Sequence, residues 1–78
     1  MQANEHIERS RHKFGAHIRA MREAQGISQA KFSAKIGLSR TYYNGIEQGY
    51  RNVSFDNALR IAQGLGVPLA LLTEGVDT

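Results

Sequence analysis

Four polar side chains, Arg40, Thr41, Tyr42 and Asn44, fall within five consecutive positions. Arginine offers a planar fork of donors, threonine a hydroxyl and a methyl, tyrosine a ring and a hydroxyl, and asparagine an amide that donates and accepts. On one exposed face this set suits hydrogen bonding to base edges and to phosphate oxygens. Arg40 can grip guanine O6 and N7 with a bidentate pair worth about 1–3 kcal/mol of discrimination; the plainer alternative is a solvated surface arginine. Thr41 can offer its methyl to thymine or its hydroxyl to a phosphate, or can simply open a helix. Tyr42 is expected against a base edge or a sugar, with packing on the following loop as its alternative. Asn44 is expected at the sugar-phosphate backbone, or else exposed without a partner.

Such a set works only if two short helices hold it at the surface. Ser28 can cap a helix over about 28–36, with Gln29 in its opening turn and Phe32 and Ile36 recurring at helical spacing. Gly37 supplies the left-handed residue that ends a helix at no steric cost. Ser39 can cap the next helix, over about 39–48, in which Tyr43, Ile46 and the stem of Glu47 face inward. Two short helices around a glycine turn form the helix-turn-helix layout, whose second helix enters the DNA major groove. The free amides at Ser28 and Gln29 make a phosphate clamp, with the Gln29 side chain expected on a phosphate. Arg51 and Asn52 follow the second helix, where the loop should graze the DNA backbone. Asn52 can alternatively cap its own turn.

The remaining elements frame this pair. Residues 1–9 have little apolar content and read as a flexible N-terminal arm. Arg9, Arg11 and Lys13 at its inner end could reach phosphates or a minor groove, or stay solvated. Phe14, Ile18 and Met21 stripe one face of a helix over about 10–25, stopped by Gly26. Ser54 caps a helix over about 54–65 carrying Phe55, Ala58, Leu59, Ile61, Ala62 and Leu65, and Gly66 stops it. Pro68 is expected as the first residue of a fifth helix over about 68–73. Residues 10–75 thus read as one all-α, compact five-helix domain, followed by a frayed tail, 76–78. Leu69 and Leu71 exceed what so small a core needs and are the candidates for a two-fold interface.

At 78 residues the chain holds one modest core and no deep substrate cleft. It lacks cysteine, which excludes disulfides and thiolate metal sites and points to a reducing cytoplasm. Neither a secretory signal nor a transmembrane span is evident. His6, His12 and His17 do not fall at zinc-ligand spacing, and no serine sits in a nucleophile motif. No enzyme, metal or cofactor is expected. The net charge of +3 is unevenly spread. Residues 28–54 hold Lys31, Lys35, Arg40 and Arg51 against Glu47 alone, whereas residues 55–78 hold Arg60 against Asp56, Glu74 and Asp77. The basic part coincides with the part expected to face DNA, which makes double-stranded DNA the expected partner.

From roughly Phe14 to Glu74 the chain resembles the five-helix, lambda-repressor-like domain of Cro-like and lambdoid phage repressors. The likeness is carried by Gln29, Gly37, Ile46 and Glu47, then Ile61-Ala62, Leu65-Gly66-Val67 and Leu71-Leu72. Within that family, Arg40-Thr41-Tyr42, Gly45-Ile46-Glu47 and Arg51-Asn52-Val53-Ser54 resemble the restriction–modification controller proteins. The resemblance implies a homodimeric, sequence-specific transcriptional regulator on a palindromic operator, blocking or recruiting RNA polymerase. It also implies a structural ion pair between Arg22 and Glu47. Ser33 departs from the family's usual alanine, Tyr43 from an aliphatic core residue, and the lysines of the second helix from the acidic patch of activating repressors. The competing reading is an antitoxin-like, protein-interaction helix-turn-helix module.

Overall fold

The computed structural model describes the backbone of residues 2–78 and the side chains of residues 5–78; Met1 of the expected arm lies outside the described residues. Five helices follow one another: α1 (Gln2–Ala24), α2 (Gln29–Ile36), α3 (Arg40–Gln48), α4 (Phe55–Leu65) and α5 (Leu69–Thr73). The all-α expectation holds, with no strand among the described residues. Three of the helix starts use one device. The hydroxyls of Ser28, Ser39 and Ser54 accept from the amides of Lys31, Tyr42 and Asn57, each at 3.1 Å, satisfying a donor that the helix leaves free. Gly37 ends α2 at φ 78°, and Leu38 follows with its N–H on the Ser33 carbonyl at 3.0 Å. This turn sets the angle between α2 and α3.

Three expectations need correction. Residues 2–9 do not form an arm: α1 begins at Gln2. Glu5 sits in the first turn, where a carboxylate complements the helix dipole, and no glycine or proline interrupts the segment. Ile7 precedes Phe14 by two turns and so extends the stripe of Phe14, Ile18 and Met21. Pro68 stands one position earlier than expected, as the N-cap of α5, with extended backbone (ψ 148°) and its carbonyl accepting from Leu71 N–H at 3.0 Å. The tail is also placed. Val76 packs against the core and donates to the Thr73 carbonyl at 3.1 Å, while Lys13 Nζ donates to the Thr78 carbonyl at 2.8 Å.

The core lies where α1, α3, α4 and α5 meet, with Phe32 of α2 completing it. Ile18, Phe32, Tyr43, Ile61 and Leu72 are fully buried, and the Phe32 and Tyr43 rings meet at 5.2 Å with a 56° tilt. Each of the four wholly apolar side chains among these contributes on the order of 1.5–3 kcal/mol on leaving water. α1 crosses α3 at Gly15 almost backbone to backbone. A Cβ there would overlap the carbonyls of Ile46 and Glu47, so only glycine allows the approach. α3 is thereby seated directly on α1.

Candidate nucleic-acid interface

α3 has one side turned inward and one outward. Tyr43, Ile46 and Glu47 are buried, while Arg40, Thr41 and Asn44 are exposed, as the helical spacing predicts. The inner side is fixed by the expected Arg22–Glu47 pair. Arg22 Nε donates to Glu47 Oε2 at 2.6 Å and Nη2 to Oε1 at 3.0 Å. Arg22 Nη1 donates to the Ile27 carbonyl at 2.7 Å, which also holds the loop between α1 and α2. The bond to Glu47 raises Arg22 above its usual range. Burial alone would raise the Glu47 carboxyl, but Arg22, the neighbouring Tyr43 hydroxyl and Gln29 together hold it below its ordinary value. The Tyr43 hydroxyl is buried beside this pair without a well-formed hydrogen bond. Burial and the Glu47 charge push it far above the usual phenol range.

Gln29 behaves differently from the sequence expectation. Its Nε2 donates to Glu47 Oε1 at 2.8 Å and to Asn44 Oδ1 at 2.9 Å. Both amide protons are therefore used inside the protein, and the side chain has none to give to a phosphate. The two helices are bridged instead. Ser28 is also engaged, as the cap of α2. The backbone amides of Gln29 and Ala30 remain the donors at this end, because Lys31 N–H is taken by Ser28 and Phe32 N–H by the Ser28 carbonyl.

Tyr42 is half-buried rather than free. Its hydroxyl donates to the Asn52 carbonyl at 3.0 Å and accepts from Asn57 Nδ2 at 3.3 Å. It packs on the following loop, the alternative raised for it above, and positions Arg51 and Asn52. Both of those side chains are exposed, and the Arg51 stem lies across Gly45 of α3. Arg40, Thr41, Asn44 and Gln29 line an open polar hollow of about 460 Å³ between the start of α2 and the outer side of α3. Arg51 and Asn52 stand outside it.

Leu69 and Leu71 do not share a surface. Leu69 is half-buried and lines an apolar groove of about 450 Å³ with Ile7, Phe14, Val53, Phe55 and Val76. Leu71 is 43% exposed and lies outside that groove. Sequence reasoning missed Ile7 and Phe55, which are 48% and 67% exposed. The signals are faint: a lone Ile7 lies seven residues before Phe14, and Phe55 directly follows the cap Ser54.

The helix-turn-helix family model matches residues 18–72, the larger part of the chain. Control protein C.MunI from Mycoplasma sp. is 42% identical over 83% of this chain and 89% of its own length. Control protein C.BamHI from Bacillus amyloliquefaciens is 44% identical over 69% of this chain and 68% of its own. The crystal structure of the restriction–modification controller protein C.AhdI from Aeromonas hydrophila superposes with a TM-score of 0.78 at 40% identity, covering 80% of this chain and 94% of that one. No helix among the described residues is long and apolar enough to cross a membrane. With its capped helix pair, glycine turn and bolted recognition helix, the chain belongs to the helix-turn-helix family and, within it, to the restriction–modification control proteins.

Proposed function

We propose that this DNA-binding transcription regulator acts as a homodimer on a palindromic operator, with α3 of each protomer in successive major grooves. One observation carries the reading: Arg40, Thr41 and Asn44 stand exposed and side by side on a helix whose other face is fixed to the core. Arg40 and Thr41 read base edges, and Tyr42 adds its ring edge while its hydroxyl holds the loop. Ser28, Gln29, Arg51 and Asn52 meet the sugar-phosphate backbone, Ser28 and Gln29 through the amide end of α2 and the other two from the loop after α3.

One α3 makes too few contacts for selective binding, and a dimer doubles them about one DNA turn apart, roughly 34 Å. The surface best suited to a second copy is the apolar groove. A protruding Phe55 stands at its edge, so a two-fold partner can fill the groove with its own Phe55 and receive the same in return. Leu69 belongs to that surface, and Leu71 lies outside it. The dimer works beside the DNA, in the cytoplasm, blocking or recruiting RNA polymerase according to where the operator lies. Protein concentration, acting through dimerisation, sets operator occupancy.

Titration of a labelled duplex carrying the DNA upstream of the protein's own reading frame tests this, over a range of salt. The expected result is affinity that falls steeply with salt, with a log–log slope near the number of phosphates neutralised. Affinity flat between low and physiological salt contradicts it. Sedimentation should show dimer at tens of micromolar, and monomer alone would remove the two-fold arrangement.

A further inference from the structure

A directed chain of hydrogen bonds runs from the buried ion pair to the exposed side of α3. Arg22 engages both oxygens of Glu47, at 2.6 and 3.0 Å. A carboxylate can only accept, so Gln29 must turn its nitrogen, not its oxygen, toward Glu47, at 2.8 Å. The second proton on that nitrogen reaches Asn44 Oδ1 at 2.9 Å. Asn44 therefore turns its oxygen back into the protein and its Nδ2, with two protons, outward. That nitrogen faces the hollow shared with Arg40 and Thr41.

We propose that Glu47, acting through Gln29 as a positioning residue, fixes the orientation of the Asn44 amide and makes Asn44 a donor-only contact to DNA. The inference rests on the DNA-binding reading above. An asparagine free to turn grips adenine through N6 and N7, using its oxygen and its nitrogen together. Asn44 held in this orientation cannot, because its oxygen points away from the DNA. It takes an acceptor instead, either a phosphate oxygen or the O6/N7 edge of guanine. The buried pair thus does more than hold α3 in place: it fixes the hydrogen-bonding polarity that Asn44 presents to the DNA.

Two measurements test this. The first needs no DNA: hydrogen exchange of the side-chain amides by NMR on the free wild-type protein. Both Gln29 side-chain protons should exchange slowly and the Asn44 pair quickly. A Gln29 amide that exchanges as fast as exposed glutamines overturns the chain of bonds. The second is a binding cycle of Gln29→Met, Asn44→Ala and the double variant, run on duplexes selected from a random library. Each single variant should weaken binding about five- to tenfold, and Gln29→Met should add little once Asn44 is gone. Gln29→Met should also admit adenine at one half-site position if Asn44 faces a base, or weaken all duplexes alike if it faces a phosphate. Slow Gln29 exchange with fully additive losses overturns the positioning role while leaving DNA binding intact. A wild type that selects no duplex overturns the DNA-binding reading itself, and with it this role for Asn44.

Discussion

The two sides of α3 are built from nine consecutive residues, Arg40–Gln48, and are held in opposite ways. On the inner side Tyr43, Ile46 and Glu47 are buried, and Glu47 is tied to another helix by a bidentate bond. On the outer side the Arg40 and Thr41 side chains make no hydrogen bond among the described residues, and the Asn44 side chain makes one. The inner side is committed to the fold and the outer side is left for a partner. A helix that reads DNA needs both conditions, since free side chains on a loosely seated helix would have no register. The comparison implies that inner changes register as stability and outer changes as binding.

The largest effect should come from splitting the buried pair. Glu47→Ala leaves the Arg22 guanidinium buried without its partner and should cost about 3–5 kcal/mol in urea unfolding. Replacing both, as Arg22→Met with Glu47→Leu, should cost clearly less than either single loss, because no charge is stranded. The same pair gives a pH signature. The Glu47 carboxyl lies below its ordinary 4.5 in the folded protein. Its contribution is therefore complete above that value and disappears as pH falls through the lower folded value. Glu47→Leu should flatten the acid limb of the stability curve.

Next in size is Gly15→Ala, which forces α1 away from the Ile46 and Glu47 carbonyls and should cost about 1–3 kcal/mol. An unchanged melting temperature would mean that α1 and α3 are not in such close contact. On the outer side, Arg40→Ala should reduce operator affinity by an amount of about 1–3 kcal/mol and relax one half-site position. Its unfolding midpoint should be unmoved, which separates the two sides cleanly. Phe55→Ser should weaken dimerisation in sedimentation while leaving monomer stability nearly unchanged, because the ring is already 67% exposed. The smallest effect is Tyr43→Phe. The buried hydroxyl has no well-formed partner, so its removal should change stability by less than about 1 kcal/mol.

What could be read from sequence was local. The serine caps and the Gly37 turn depend on residues two to four positions apart, so the α2–α3 layout was legible. The start of α1 was not, because residues 2–13 reach beyond the core and carry a single large apolar side chain, Ile7, too sparse to show a period. The Arg22–Glu47 pair spans 25 positions and came from family resemblance, since spacing alone cannot pair distant charges. Gln29 was misjudged for a related reason. An amide at a helix start serves a phosphate or a neighbouring carboxylate equally well, and only the fold brings Glu47 within 2.8 Å of it. Leu69 and Leu71 both exceed what so small a core needs, yet residues two apart on a helix point to nearly opposite sides. Only Leu69 reaches the groove.

The most direct test of the account is selection of duplexes from a random DNA library, with wild type and Arg40→Ala run in parallel. The wild type should enrich a palindrome, and the variant should keep the same palindrome with one position in each half-site relaxed. Folded wild-type protein that enriches no sequence at low salt would contradict it.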